Sequence, residues 1–95
     1  MYISLTGGKV TKESEAETEK FLSEFLPKMR RLPGVMAIYH YYRPELGDNT
    51  TIVIWKDREA LQAYRNGELI KEAIAFEKKT GRLATREGYP LSIAL

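Results

Sequence analysis

An α+β fold, with one antiparallel sheet of four strands and helices on one face, is what three features of this 95-residue sequence predict. Short alternating runs rich in Ile, Val and Tyr mark strands. Longer stretches with apolar residues at helical spacing mark helices. The two kinds of run follow the order β-α-β-β-α-α-β, the order of a ferredoxin-like, split βαβ domain.

"YISLT" at 2–6 sets Ile3 and Leu5 on one side and Tyr2, Ser4 and Thr6 on the other, and Gly7-Gly8 predicts its end. Ser14 with Glu17 three residues on predicts a capping box. The helix it opens carries Phe21, Leu22, Phe25, Leu26, Met29 and Leu32 on one stripe. Pro27 within that stripe lacks a backbone donor, which predicts a kink or a restart. "LPG" at 32–34 stops the helix, and "VMAIYHYYR" at 35–43 is a second strand.

"PELGDN" is a turn and "TTIVIW" at 50–55 a third strand. Asp57 suits the N-cap of the next helix, in which Ala60, Leu61 and Tyr64 share a face before Asn66-Gly67 breaks it. A further helix is predicted from about Glu68 to Thr80, with Gly81 as its stop. The remainder, "RLATREGYPLSIAL", reads as a last strand interrupted near Gly88 and Pro90 and resuming through Leu91, Ile93 and Leu95. Residues 1–95 form a single domain in this reading.

Two strands are apolar on both faces. Ile52 and Ile54 oppose Val53 and Trp55, while Val35, Ala37, Tyr39 and Tyr41 oppose Met36, Ile38 and Tyr42. A sheet wetted on one side shows one polar face, so a second cover is expected. The simplest is another copy of the chain, giving a homodimer through the sheet faces with the tail "LSIAL" added to the interface.

Bulk composition narrows the classes. The chain is 43% hydrophobic and 29% charged, with a net charge of +2 spread along its length. Neither nucleic acid nor an anionic membrane is implied by so mixed a balance. The absence of cysteine removes disulfides, thiolate metal sites and Cys nucleophiles. "MYISLTGGKV" has no signal-peptide pattern and no run reaches membrane-spanning length, so a cytoplasmic location is expected.

Residues 27–67, "PKMRRLPGVMAIYHYYRPELGDNTTIVIWKDREALQAYRNG", resemble the antibiotic biosynthesis monooxygenase-like domains of the dimeric α+β barrel superfamily. The likeness rests on Pro27, Arg31 and Pro33-Gly34 ending the first helix and on Trp55 ending the third strand. An acidic helix cap and Glu59-Ala60-Leu61 follow Trp55. The resemblance implies two sheets packed face to face in a dimer and a small pocket in each subunit between helices and sheet. Members include cofactor-free oxygenases acting on polycyclic phenols or anthrones, and haem-degrading enzymes. Many relatives place a histidine nine residues beyond the tryptophan, where this chain has Tyr64. The haem-degrading pattern falls on Thr6, Tyr64 and Ile74 and is absent, so no haem, and no other cofactor, is expected.

The candidate site residues follow from residue chemistry. Trp55 at a strand end is read as a wall, of the core or of the pocket. His40, the only histidine, is the candidate general base for a phenolic proton. As a lone histidine with no carboxylate on its strand it makes no metal site. Tyr64 is paired with it as a second catalytic candidate. Tyr39 and Tyr41 are candidate aromatic linings that also suit a dimer interface. Arg43, in phase with them, is a candidate partner for a phenolate or enolate, and Thr6 completes the binding set. The runs "TKESEAETEK" and "FEKKTGR" read as solvated helix faces and ends.

Two functions compete. One is a cofactor-independent monooxygenase-like protein acting on a small hydroxylated aromatic or polyketide-like substrate. The other is a non-catalytic small-molecule-binding or structural homodimer. RNA-recognition domains share the element order, but "TTIVIW" has neither the glycine nor the basic residue of their signature. An acylphosphatase would need an Arg in the loop after the first strand, and "TGGKVTKES" has none.

Overall fold

The computed structural model describes residues 1–95. Its elements are β1 (Tyr2–Lys9), α1 (Glu15–Arg30), β2 (Val35–Arg43), β3 (Asp48–Trp55), α2 (Arg58–Arg65), α3 (Leu69–Thr80) and β4 (Ala84–Pro90). The strands lie in the order β2-β3-β1-β4, every neighbouring pair antiparallel. This is the ferredoxin-like arrangement predicted from the element order.

The core lies between the helices and one sheet face. Phe25 and Met29 of α1, Leu61 of α2 and Ala73 of α3 meet Val35, Val53 and Trp55 of the sheet. One helix start and two glycine stops work as their residue types predict. Asp57 accepts a hydrogen bond from the Ala60 backbone N–H at 2.9 Å and caps α2. Gly81 takes φ 70° and ends α3. Gly34, at φ 86°, lies where a Cβ would meet the Ala60 Cβ at 2.5 Å, so glycine is required there twice over.

Several local expectations are corrected. β1 runs through Gly7 and Gly8 to Lys9. A Cβ at Gly8 would sit 2.7 Å from Arg82 Nε and 2.8 Å from the Leu83 carbonyl, so this glycine admits a close neighbour rather than a turn. β4 likewise runs through Gly88, beneath Leu61 and beside Tyr2. Beyond Pro90 there is no strand, and Ile93 and Leu95 are exposed.

The capping box does not form. Ser14 makes no side-chain cap, because its hydroxyl turns back to Thr11 instead. α1 continues through Pro27 to Arg30 as one helix. Finally, β2 carries a bulge between Val35 and Ala37. Val35 pairs with Trp55 and is buried toward the helices, whereas Ala37 pairs with Ile54 on the other face. The bulge thereby parts Val35 from the Ala37-Tyr39-Tyr41 row it was expected to join.

Candidate functional site

The pairing register sorts the candidate residues into two groups. Thr6, Trp55 and His40 lie on the helix-covered face, and Tyr64 of α2 faces them. Tyr39, Tyr41 and Arg43 lie on the opposite face in a row with Ile52, Thr50 and Asp48. The seven residues therefore do not converge on one point.

Trp55 is wholly buried. Its indole Nε1–H donates to Ser4 Oγ at 2.8 Å, and the Tyr64 ring stacks against it with centroids 5.7 Å apart. Ser4 and Tyr64 in turn face a cleft between the sheet and the helices, in which Trp55 itself has no share. Trp55 is thus the wall behind the wall.

That cleft is a slot with two unlike ends. It holds about 600 Å³ of empty space out to its mouth, of which only about 40 Å³ is wide enough for the centre of a water molecule. Its apolar end includes Phe21, Phe25 and Phe76, with centroids 5.0 Å apart for Phe21–Phe25 and 4.2 Å for Phe21–Phe76. Its polar end is built from Thr6, Thr51, Tyr64, Glu77, Arg82 and Arg86. Burial pushes the Tyr64 hydroxyl up to about 12, so it remains a proton donor at neutral pH.

Glu77, Arg82 and Arg86 did not figure among the candidates read from sequence. Glu77 and Arg82 belong to the run taken as a solvated helix end, yet the Glu77 side chain is 13% exposed and bonded to Arg86 at 3.0 and 2.5 Å. The signal was in the helical phase, since Glu77 lies two turns beyond Ile70 and one turn beyond Ala73, both buried. Arg86 pairs with Thr6 across β1 and β4 and so shares its face.

A second, wider cavity of about 490 Å³ lies under α1 nearer β2. His40, Tyr42 and Asn49 of the sheet line it, with Thr18, Glu19 and Leu22 above. His40 Nδ1 is 3.0 Å from Thr51 Oγ1. The ring is exposed at its rim, yet burial of its packed side holds the imidazole below its ordinary value. The Arg82 charge adds to that shift and Glu19 opposes it.

The two cavities are neighbours. Leu22 and Leu26 of α1 border both. Beneath them, His40–Thr51 and Asn49–Arg82 each join one side chain of the wide cavity to one of the slot. Together they form a trough under α1, divided by two polar side-chain pairs and two leucines.

On the open face, Arg43 is held by Asp48 through two hydrogen bonds of 2.8 and 2.7 Å, and its guanidinium is already matched to a carboxylate. Tyr39 is 63% exposed and Tyr41 44%. No three His, Cys, Asp or Glu side chains gather where a metal ion would sit. No helix is long and apolar enough to cross a membrane.

The model of the family described as antibiotic biosynthesis monooxygenase matches residues 1–75. No curated protein sequence matches the chain. Among solved structures, a Deinococcus radiodurans protein provisionally assigned as an antibiotic biosynthesis monooxygenase superposes with a TM-score of 0.91 at 16% identity, covering 100% of this chain and 96% of that one. SnoaB from Streptomyces nogalater, a cofactor-independent oxygenase solved as its N63A mutant, gives 0.80 at 16%, over 99% and 95%. A Nitrosomonas europaea protein of unknown function, NE2512, gives 0.81 at 18%, over 99% and 91%. At these identities the likeness is one of fold.

Proposed function

The chain belongs to the antibiotic biosynthesis monooxygenase family, and from that premise we propose that it acts on a small hydroxylated aromatic held in the trough beneath α1. The observation that carries this reading is His40 beside Thr51, on the border of a cavity large enough for a flat ring. With its proton on Nδ1 and donated to Thr51 Oγ1, the ring presents a lone pair on Nε2. Burial keeps it unprotonated at neutral pH, the state a base must have to accept a phenolic proton.

The protein's task in such a reaction is short. His40 removes the proton, and the resulting carbanion form of the substrate passes its electrons to dioxygen. A carbon–oxygen bond forms, the peroxide takes back the proton that His40 removed, and the hydroperoxide loses water to leave a carbonyl. One oxygen atom stays on the ring and the other leaves in water. Tyr64, with its proton retained, donates a hydrogen bond to the developing oxyanion at the slot end, beside Thr6. Trp55 holds Tyr64 and Ser4 in place.

Tyr39, Tyr41 and Arg43 take a different part in this proposal. They belong to the open face, where Ile3, Leu5, Ile52 and Ile54 add an apolar surface that no helix covers. A second copy of the chain is the cover we assign to it, with the exposed tail at its margin. A cytoplasmic location belongs to the same proposal.

A second reading, a non-catalytic binding protein, is favoured by the narrowness of the slot, which seats a ring only if the Phe21–Phe76 stack gives way. Oxygen uptake with a dihydroxyanthrone separates the two. The enzymatic reading predicts consumption of one dioxygen per substrate, lost in His40→Ala and reduced in Tyr64→Phe. Turnover intact in both variants would overturn these roles, and binding without oxygen uptake would favour the second reading.

A further inference from the structure

The charge at the polar end of the slot is not balanced. Arg86 is matched by Glu77 through two hydrogen bonds. Arg82, beside it, has no carboxylate within ion-pair distance. Its hydrogen bond goes through Nη2 to Asn49 Oδ1, a neutral acceptor, and its Nε–H is buried with no acceptor at all. Glu77 is the only acidic residue lining the slot, against Arg65, Arg82 and Arg86. Arg65 reaches out to the Glu87 carbonyl at 3.1 Å, which leaves two guanidinium groups and one carboxylate around the interior.

An uncompensated charge that is half-buried, as Arg82 is, is costly, and a bound counter-charge offsets that cost. Here the fold makes room for it deliberately. Gly8 lets the guanidinium lie flat across β1, since a Cβ there would come within 2.7 Å of Nε and 3.3 Å of Nη2. The side chain is thus pinned at the polar end of the slot, with its remaining N–H groups directed by the planar fork rather than by a flexible stem.

Resting on the reading of the trough as an aromatic-binding site, we propose that the slot selects a ligand bearing an ionised oxygen conjugated to a flat apolar body, and that Arg82 receives that oxygen. Arg82 is then the specificity-determining residue. The aromatic body lies toward Phe21, Phe25 and Phe76, whose stack gives way to admit it, and the oxyanion lies against the Arg82 guanidinium. A neutral phenol or amide of the same shape forfeits the charge-assisted bond.

The test compares two isosteric probes, 2-naphthoate and 2-naphthamide, by titration without regard to turnover. 4-Nitrophenolate, ionised above neutral pH, serves as a third probe that distinguishes phenolate from carboxylate. Wild-type protein is expected to prefer the naphthoate by roughly ten- to a hundredfold, the range of a hydrogen bond to a charged group. Arg82→Gln is expected to lose that preference while keeping its affinity for the naphthamide, and Arg82→Lys to restore part of it. Equal binding of the two naphthyl probes by the wild-type protein would overturn the proposal while leaving the aromatic site standing. So would an undiminished preference in a folded Arg82→Gln. Failure of all three probes to bind would overturn both. The wild-type comparison decides the matter even where the variants do not fold.

Discussion

The indole N–H of Trp55 donates to the hydroxyl of Ser4 at 2.8 Å, joining the end of one central strand to the middle of the other in a site closed to water. Ser4 is 5% exposed. A buried polar pair of this kind stabilises little when made and costs much when broken, because each partner is left desolvated without the other.

Ser4→Ala is therefore expected to lower stability by about 1–3 kcal/mol, with the melting temperature falling by roughly 4–8 °C for each kcal/mol in a domain of this size. Urea denaturation followed by Trp55 fluorescence measures it. A variant as stable as the wild type would show that the hydrogen bond contributes nothing.

Gly8→Ala should be more disruptive than an alanine in a strand ordinarily is. Its Cβ must displace Arg82 or the Leu83 backbone, a strain of about 1–3 kcal/mol. Thermal melting reads the cost. Paired with Arg82→Gln, the loss should shrink, since half of the clash is removed.

The sequence carried the element order, both glycine stops at Gly34 and Gly81, the Asp57 cap and the inward position of Trp55, because each follows from a local rule of pattern or dihedral angle. What it could not carry were events that depend on partners distant in the chain. The bulge at Val35/Ala37 moves Val35 to the other face without any mark in a run that is apolar throughout. Gly7 and Gly8 look like a turn until Arg82 is laid across them. The site was legible in part. His40 and Trp55 were singled out by residue type and Tyr64 and Thr6 through the family resemblance, and the register brings the three strand residues onto the face that Tyr64 covers. Arg82 and Glu77 were lost in a charged helix end, whose charges turn inward only once β4 folds back beside β1.

Protonation of His40 gives a pH dependence with a defined sign. Its folded value lies below the ordinary 6.5, so the unfolded chain binds the proton more readily. The stability it contributes is complete above 6.5 and is lost as pH falls through the depressed folded value. Melting temperatures taken between neutral and mildly acidic pH should fall less in His40→Gln than in the wild type. Equal falls would place the titrating group elsewhere.

The open face supplies an independent prediction. Ile52→Lys puts a charge at its centre, beside Tyr39 and Leu5. Sedimentation should give twice the 10.9 kDa chain mass for the wild type and the single mass for the variant. A monomeric wild type would remove the second copy from the account.

The most direct measurement is a titration of the protein with a dihydroxyanthrone, following the emission of Trp55, the only tryptophan. Tyr64 stacks on its ring and Ser4 bonds its nitrogen, and both line the slot, so a ligand that enters the slot end of the trough reaches it. Saturable quenching at one ligand per chain is the expected result. An emission that stays unchanged through the titration would contradict it, leaving Trp55 a core residue with no ligand behind its neighbours.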